Sequence, residues 1–363
     1  MATDTGTHEE RRDALARRIF SSVVGSLELF HVYLGERLGL YRVLGDQAPA
    51  TASELAAAAG INARYAREWL EEQAVAGFLT VEGDGPETRR YSLPKAHAEV
   101  LVDAENLNYM SAMALQVVGV ASVLSRLVDA FKTGDGIPYE DFGADIRHGI
   151  AAANRVMFIN LLGSEWFPAI TDVDARLRAE PPARVADVGC GTGNSSVAIA
   201  RAYPRARVEG IDMDAASIEE AREKARAAHV DDRVNFEVRD AGDPGLAGSF
   251  DLVTAFETIH DMSDPVGALS TMRKLCAPGG AVLVVDERAA EEFTAPGDEV
   301  ERMLYGFSAT HCLPAAMGSP ESAMTGTVMR PAMLRRYALE AGYDRVEILP
   351  IENDFWRFYR LFW

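Results

Sequence analysis

Cysteine is scarce: Cys190, Cys276 and Cys312 are the three in 363 residues, and they lie far apart. No spacing suggests a disulfide framework or a zinc knuckle, so a reducing compartment, the cytoplasm, is expected. Long apolar runs are missing as well. No stretch approaches the ~18 residues that span a bilayer. The opening Met-Ala-Thr-Asp-Thr-Gly-Thr-His is polar and lacks an apolar signal core. Basic residues are outnumbered, 36 Lys and Arg against 55 Asp and Glu, for a formal charge of −19. That excess disfavours both a polyphosphate backbone and an anionic membrane surface as partner. What remains, 48% hydrophobic and 25% charged, suits a globular enzyme, and the length calls for two domains or more.

Residues 184–201 organise the chain. The β-branched run Val185, Ala186, Val188 leads into alternate glycines, Gly189, Gly191 and Gly193, and then into the helix-like Val197, Ala198, Ile199, Ala200. Asn194 or Ser195 is the expected N-cap. Strand, glycine turn and helix start suit a nucleotide-like ligand, because the backbone can approach closely and the helix offers free N–H groups. A dinucleotide fingerprint would need its third glycine at 194, where Asn stands. The carboxylate of Asp187, just before the loop, would repel a pyrophosphate and tolerate an ammonium or a sulfonium.

The motif Asp-x-Gly-x-Gly-x-Gly resembles the first motif of class I S-adenosylmethionine methyltransferases. The chain downstream fits that resemblance, alternating strand and helix as a parallel, doubly wound sheet does. Strands are expected at 207–211, 234–238, 250–256, 281–285, 346–351 and 355–362. The last two follow one helix closely enough to pair antiparallel, as in that family's sheet. Residues 287–325 carry no strand pattern and read as an insertion. The resemblance implies S-adenosylmethionine as cofactor, held by Asp187, Gly189, Gly191, Gly193, Asp212, Asp240, Ala241 and Phe256. Asp212, at a strand end 25 residues past Asp187, would accept the ribose hydroxyls. Asp240 would take the adenine amino group, with the N–H of Ala241 beside it.

The stretch Ala255-Phe-Glu-Thr-Ile-His-Asp-Met-Ser-Asp264 resembles the His-Asp-Trp-Ser-Asp signature of winged-helix small-molecule O-methyltransferases, with Met262 in place of Trp. His260 then matches the general base and Asp286 the carboxylate that steers it; the second steering carboxylate has no counterpart in 325–335. His311, in the insertion, can hydrogen-bond the substrate as a lid residue. Alternatively His260, Asp261 and His311 form a facial metal triad. Some bacterial C-methyltransferases with this fold use such an ion to bind an α-keto acid and favour its enol. O-methylation of a small molecule is the preferred expectation, and whether a metal ion is bound stays open.

Earlier in the chain, Leu15, Ile19, Val23, Leu27, Phe30 and Leu34 stripe a helix over residues 9–40. So long a stripe outside a compact unit predicts a homodimer. Residues 41–98 read as a winged helix: a helix ending on Gly60, a second from Ala63 capped by Asn62, and a hairpin at 78–81 and 90–93. A DNA-binding regulator is the rival class. Between Tyr41 and Lys95, however, six Lys and Arg meet eight Asp and Glu, where a groove-reading helix should be basic. Three segments follow: 1–100, helix and winged-helix dimerisation domain; 101–171, a helical linker and substrate lid; and 172–363, a Rossmann-like catalytic domain. The overall resemblance is to a group of actinobacterial winged-helix methyltransferases acting on small molecules, with no nucleic-acid or membrane partner expected.

Overall fold

The computed structural model describes residues 6–46, 49–243, 245, 247–318 and 321–363; residues 1–5 of the polar opening lie outside it. The chain divides into two compact units, Met1–Val118 and Gly119–Trp363. The boundary falls within the 101–171 segment, which both units share.

In the first unit α1 (His8–Leu38) begins at a Thr7–Glu10 capping box and stops at Gly39 in left-handed conformation. Its stripe does not join a core. Leu15, Ile19, Phe20 and Leu27 are 54–70% exposed, and burial is confined to Val32 and Gly35. A side chain at 35 would collide with the Tyr41 and Trp69 rings. The unit continues through α2 (Leu40–Asp46), α3 (Ala52–Ala59), α4 (Ala63–Val75), the antiparallel pair β1 (Thr80–Glu82) and β2 (Arg90–Ser92), and α5 (Lys95–Leu101). This is the expected winged helix. Thr51 and Asn62 cap α3 and α4, and Leu40, Tyr41, Leu55, Trp69, Leu70 and Tyr91 pack between them. The α4 cations are engaged by acids, Arg64 by Glu68 and Arg67 by Glu87.

The unit boundary falls inside α6 (Ser111–Ser122). The second unit starts with α7 (Leu124–Thr133) and α8 (Gly143–Met157), which runs on as a π-helix over Phe158–Trp166, then α9 (Thr171–Arg178). The alternation follows: β3 (Arg184–Val188), α10 (Asn194–Ala202), β4 (Arg207–Asp212), α11 (Ala215–Ala227), β5 (Val234–Val238), β6 (Phe250–Phe256), α12 (Pro265–Leu275) and β7 (Cys276–Glu287). The insertion holds α13 (Glu299–Phe307), a π-helical Ser308–Cys312 and α14 (Leu313–Ala316); α15 (Pro331–Glu340), β8 (Arg345–Ile348) and β9 (Trp356–Phe362) complete the unit.

The sheet order is β5-β4-β3-β6-β7-β9-β8, parallel except for β9. Side chains alternate between its faces. Val185, Leu283 and Val285 point to one core; Ala186, Val188, Val282 and Val284 point to the other. The order reverses at β3, so a crevice opens past the carboxyl ends of β3, β4 and β6.

One local expectation changes. Gly193, not Asn194 or Ser195, caps α10, and it does so without a side-chain bond. Its left-handed φ of 76° turns the chain so that both polar side chains are spent elsewhere. β5 stops at Val238, two residues before Asp240. A concavity of about 710 Å³, lined among others by Arg184, Glu209, Asn235, Glu237 and Arg239, borders β3, β4 and β5. It contains none of the expected site residues. Among the described residues no single helix is long and apolar enough to cross a membrane.

Candidate active site

All three loop glycines are left-handed, with φ of 69°, 50° and 76° at Gly189, Gly191 and Gly193. A Cβ on Gly189 would strike the Thr258 side chain and one on Gly193 the Phe236 ring, whereas one on Gly191 would meet open space. Gly191 therefore marks the free side of the loop. Its N–H donates to Asp212 Oδ2 at 2.8 Å, and Asp212 Oδ1 accepts from the Asp214 N–H at 2.9 Å. Burial raises the Asp212 pKa against those two backbone bonds. Asp240 is exposed and accepts the Gly242 N–H at 2.8 Å, with Ala241 half-buried beside it. Phe256 packs inward, edge to face on Phe158 at 5.2 Å.

Asp187 does not face the loop opening. Its Oδ2 accepts the hydroxyls of Ser195 and Ser196 at 2.6 Å each, and its Oδ1 that of Thr254 at 2.9 Å. Bonds to a carboxylate of this kind contribute about 1.5–3 kcal/mol each when buried. Asp187 thus ties β3 to the first turn of α10 and to β6. Both of its carboxylate oxygens are engaged within the protein. Ser-Ser after the third glycine is the signal that could have shown it.

The second cluster forms where β6 and β7 end. His260, in the tight turn Ile259–Asp261, is 2% exposed. Its Nδ1 meets Asp286 Oδ1 at 2.6 Å, and its Nε2 lies 3.2 Å from Asp261 Oδ1. Burial opposes a charge on the imidazole, but the Asp261 and Asp286 carboxylates outweigh it and hold its pKa well above the ordinary 6.5. Burial likewise works against the Asp261 carboxylate, yet His260 brings its pKa down to about 2.

His311 and Cys312 reach this cluster from the π-helical turn, a distortion frequent at functional sites. Ligand atoms of His260, Asp261 and Cys312 lie within 4.8 Å of one another. His311 instead sets Nδ1 3.3 Å from Cys312 Sγ. The ligand group brought together is thus His260, Asp261 and Cys312, with Cys312 where His311 was expected; burial pushes the Cys312 thiol up to about 12. Burial lowers the pKa of His311. The rings of Tyr139 and Phe142 pack edgewise on it at 5.8 and 4.7 Å. Ile137 N–H donates to Pro314 O at 2.9 Å, so 134–142 and the insertion form one roof. Asp286 Oδ2, His311 Nε2 and Thr327 Oγ1, buried there, make no hydrogen bond among the described residues, and Asp261 Oδ1 has only the ion pair with His260 Nε2.

Sequence reasoning also missed Glu257, Glu287 and Asn154. Asn154 Nδ2 donates to Glu257 Oε2, and the Glu257 N–H donates to Val285 O at 2.7 Å, which sets Glu257 beside Glu287 where β6 and β7 end. Glu257 is held at φ 51°, a left-handed conformation that costs a non-glycine residue ~1–3 kcal/mol. Two acids closing the apolar run Val284-Val-Asp-Glu287 were a visible signal; Asn154 had none.

Comparison with known proteins places this geometry. Residues 180–327 match the family model "Methyltransferase domain", and 26–103 match "Rv2258c-like winged HTH domain". The chain is 30% identical over 207 residues to trans-aconitate 2-methyltransferase of Methylobacterium radiotolerans, spanning 53% of this chain and 72% of that one. It is 36% identical over 104 residues to 27-O-demethylrifamycin SV methyltransferase of Amycolatopsis mediterranei, covering 28% of this chain and only 38% of that enzyme's length. In fold it is similar to human N-acetylserotonin methyltransferase, solved in complex with SAM, with a TM-score of 0.71 at 16% identity over 100% and 99% of the two chains. With its glycine loop, its seven-stranded order and its winged helix, the chain belongs to the class I S-adenosylmethionine-dependent methyltransferases that carry an N-terminal winged-helix domain.

Proposed function

We propose that this protein transfers the methyl group of S-adenosylmethionine to an oxygen of a small molecule, with His260 as general base. The observation that carries the reading is the buried Nδ1–Asp286 contact of 2.6 Å, at strand ends that adjoin the glycine loop through Thr258 and Gly189. Asp286 holds Nδ1, which leaves Nε2 as the nitrogen that takes the proton. A sulfonium is already electrophilic, so catalysis consists of in-line alignment and of freeing an oxygen lone pair. The hydroxyl oxygen bonds to the methyl carbon as the S–CH₃ bond breaks. The proton passes to Nε2, and S-adenosylhomocysteine leaves as a neutral thioether. The glycine loop and Asp212 would seat the cofactor, Asp240 and Ala241 its adenine, and His311 the substrate.

Against burial, the Asp261 and Asp286 carboxylates hold the His260 pKa above the ordinary 6.5, so the imidazolium has to lose its proton before it can act. The arriving sulfonium works in that direction, since a nearby positive charge lowers an imidazole's pKa. Turnover should therefore rise with pH through a limb above the ordinary 6.5.

A second reading has its own support. The clustered ligand atoms of His260, Asp261 and Cys312, with the buried His311 Nε2 making no hydrogen bond among the described residues, fit a divalent or ferric ion held by His260, Asp261 and His311 or Cys312. Such an ion would supply Lewis acidity toward an α-keto acid, with methylation at carbon. We further propose a homodimer joined through the exposed face of α1, supported by its large apolar side chains.

Calorimetry with S-adenosylhomocysteine tests the cofactor: micromolar binding that Asp212→Ala weakens is expected, and no binding overturns the reading. Elemental analysis of untagged protein decides between mechanisms. Near-stoichiometric iron or zinc, lost in both His260→Ala and His311→Ala, would replace O-methylation by the metal route.

A further inference from the structure

S-adenosylmethionine carries an ammonium in its amino-acid tail, and the carboxylate nearest the glycine loop in sequence, Asp187, is engaged by three hydroxyls. Another acid stands at the loop. A Cβ on Gly189 would touch Thr258, the neighbour of Glu257. One face of α8 ties the two places together. Ala151 O accepts from Asn194, the first residue of α10, and Asn154, one turn along, donates to Glu257. Three residues of a helix rise ~4.5 Å, so α8 holds the Glu257 carboxyl and the start of α10 on neighbouring positions.

Its neighbour is another acid, Glu287, because β6 and β7 end side by side and the Glu257 N–H donates to Val285 O at 2.7 Å. Two buried carboxyls side by side avoid repulsion by sharing a proton, and the buried Asp286 Oδ2, on the residue next to Glu287, makes no hydrogen bond among the described residues. Glu257 is also kept in a conformation that a non-glycine residue seldom adopts. A buried, acid-rich corner with an unsatisfied oxygen and a strained backbone suits a cationic hydrogen-bond donor. The cation already set against the corner, His260, is engaged by Asp261 and Asp286.

We infer that the Glu257–Glu287 carboxyl pair receives the ammonium of the cofactor's amino-acid tail, Asp187 being buried and engaged by three hydroxyls. This rests on the proposed cofactor and adds residues outside the family motif. On binding, the ammonium takes the place of the shared proton between the carboxylates. Asn154 keeps Glu257 turned toward the loop.

The test compares S-adenosylhomocysteine with its analogue lacking the amino group, by calorimetry on the full chain. Wild type should bind the parent about tenfold more tightly. Glu257→Gln and Glu287→Gln should each bring that ratio toward one while leaving affinity for the desamino analogue unchanged. A general packing defect would weaken both ligands together and would count against the inference. So would a tenfold preference that survives in both variants, or wild type that binds the two ligands equally. If wild type binds neither ligand, the cofactor assignment itself fails, a separate outcome.

Discussion

α1 keeps large apolar side chains on the outside, with Phe20 70% exposed, while the ends of β6 and β7 keep charge on the inside, with Asp286 1% exposed. Each departs from the ordinary partition of residues, in opposite directions. An exposed apolar face is resolved by a surface that covers it. A buried carboxylate is resolved by a partner that neutralises it, and Asp286 has one such partner, on one oxygen. The remaining oxygen makes no hydrogen bond among the described residues. The first region thus bears on assembly and the second on chemistry, and substitutions can separate them.

The largest effect is expected at the charged cluster. His260→Ala should cut methyl transfer to an accepted phenol or alcohol by ~10²–10⁴-fold, with calorimetric affinity for S-adenosylhomocysteine unchanged. A variant that still turns over would move the chemistry away from this cluster. Next comes Asp286→Asn, expected to cost ~10–100-fold. It removes a carboxylate that raises the His260 pKa, so the acid limb of the pH–rate profile should shift to lower pH. A limb that stays in place would mean that another group titrates.

On the other side of the comparison, Ile19→Asp combined with Phe20→Asp should convert a dimer to a species near 39.4 kDa by light scattering. Fold, read by circular dichroism, should be retained, because both side chains lie outside the core of their unit. A wild type that is itself monomeric would break the comparison at its apolar end.

The smallest expected effect concerns stability. Burial holds Glu287 well above the ordinary 4.5, with Glu257 adding to the rise. An acid raised in the folded state binds its proton more tightly there than when unfolded. Stability then falls as pH climbs from 4.5 through the folded value. Glu287→Gln should lessen the drop in Tm between pH 6 and 9 by ~2–4 °C, measured by thermal unfolding at both pH values. An unchanged drop would show that the pair does not share a proton.

The outline of the catalytic sheet was legible residue by residue. Val185 to Val188 alternate between two cores, and three glycines turn the chain. Both are consequences of local backbone geometry, which a one-dimensional pattern records. The apolar stripe of α1 was legible for the same reason. The winged helix followed from Thr51, Asn62 and Gly60, whose capping preferences act within a few residues.

Other features are decided by contacts across the fold. His260 and Asp286 are 26 positions apart and meet because β7 lies beside β6 in register. Cys312 and His311 arrive from an insertion whose path no periodicity predicts. Asp187 occupies the position a ligand-facing carboxylate would, yet Ser195, Ser196 and Thr254 close it from two elements. Whether a carboxylate is sealed or open depends on what three-dimensional packing brings to each of its oxygens. Residue type and spacing determined which groups could act, and the tertiary structure alone decided which of them keep an oxygen free.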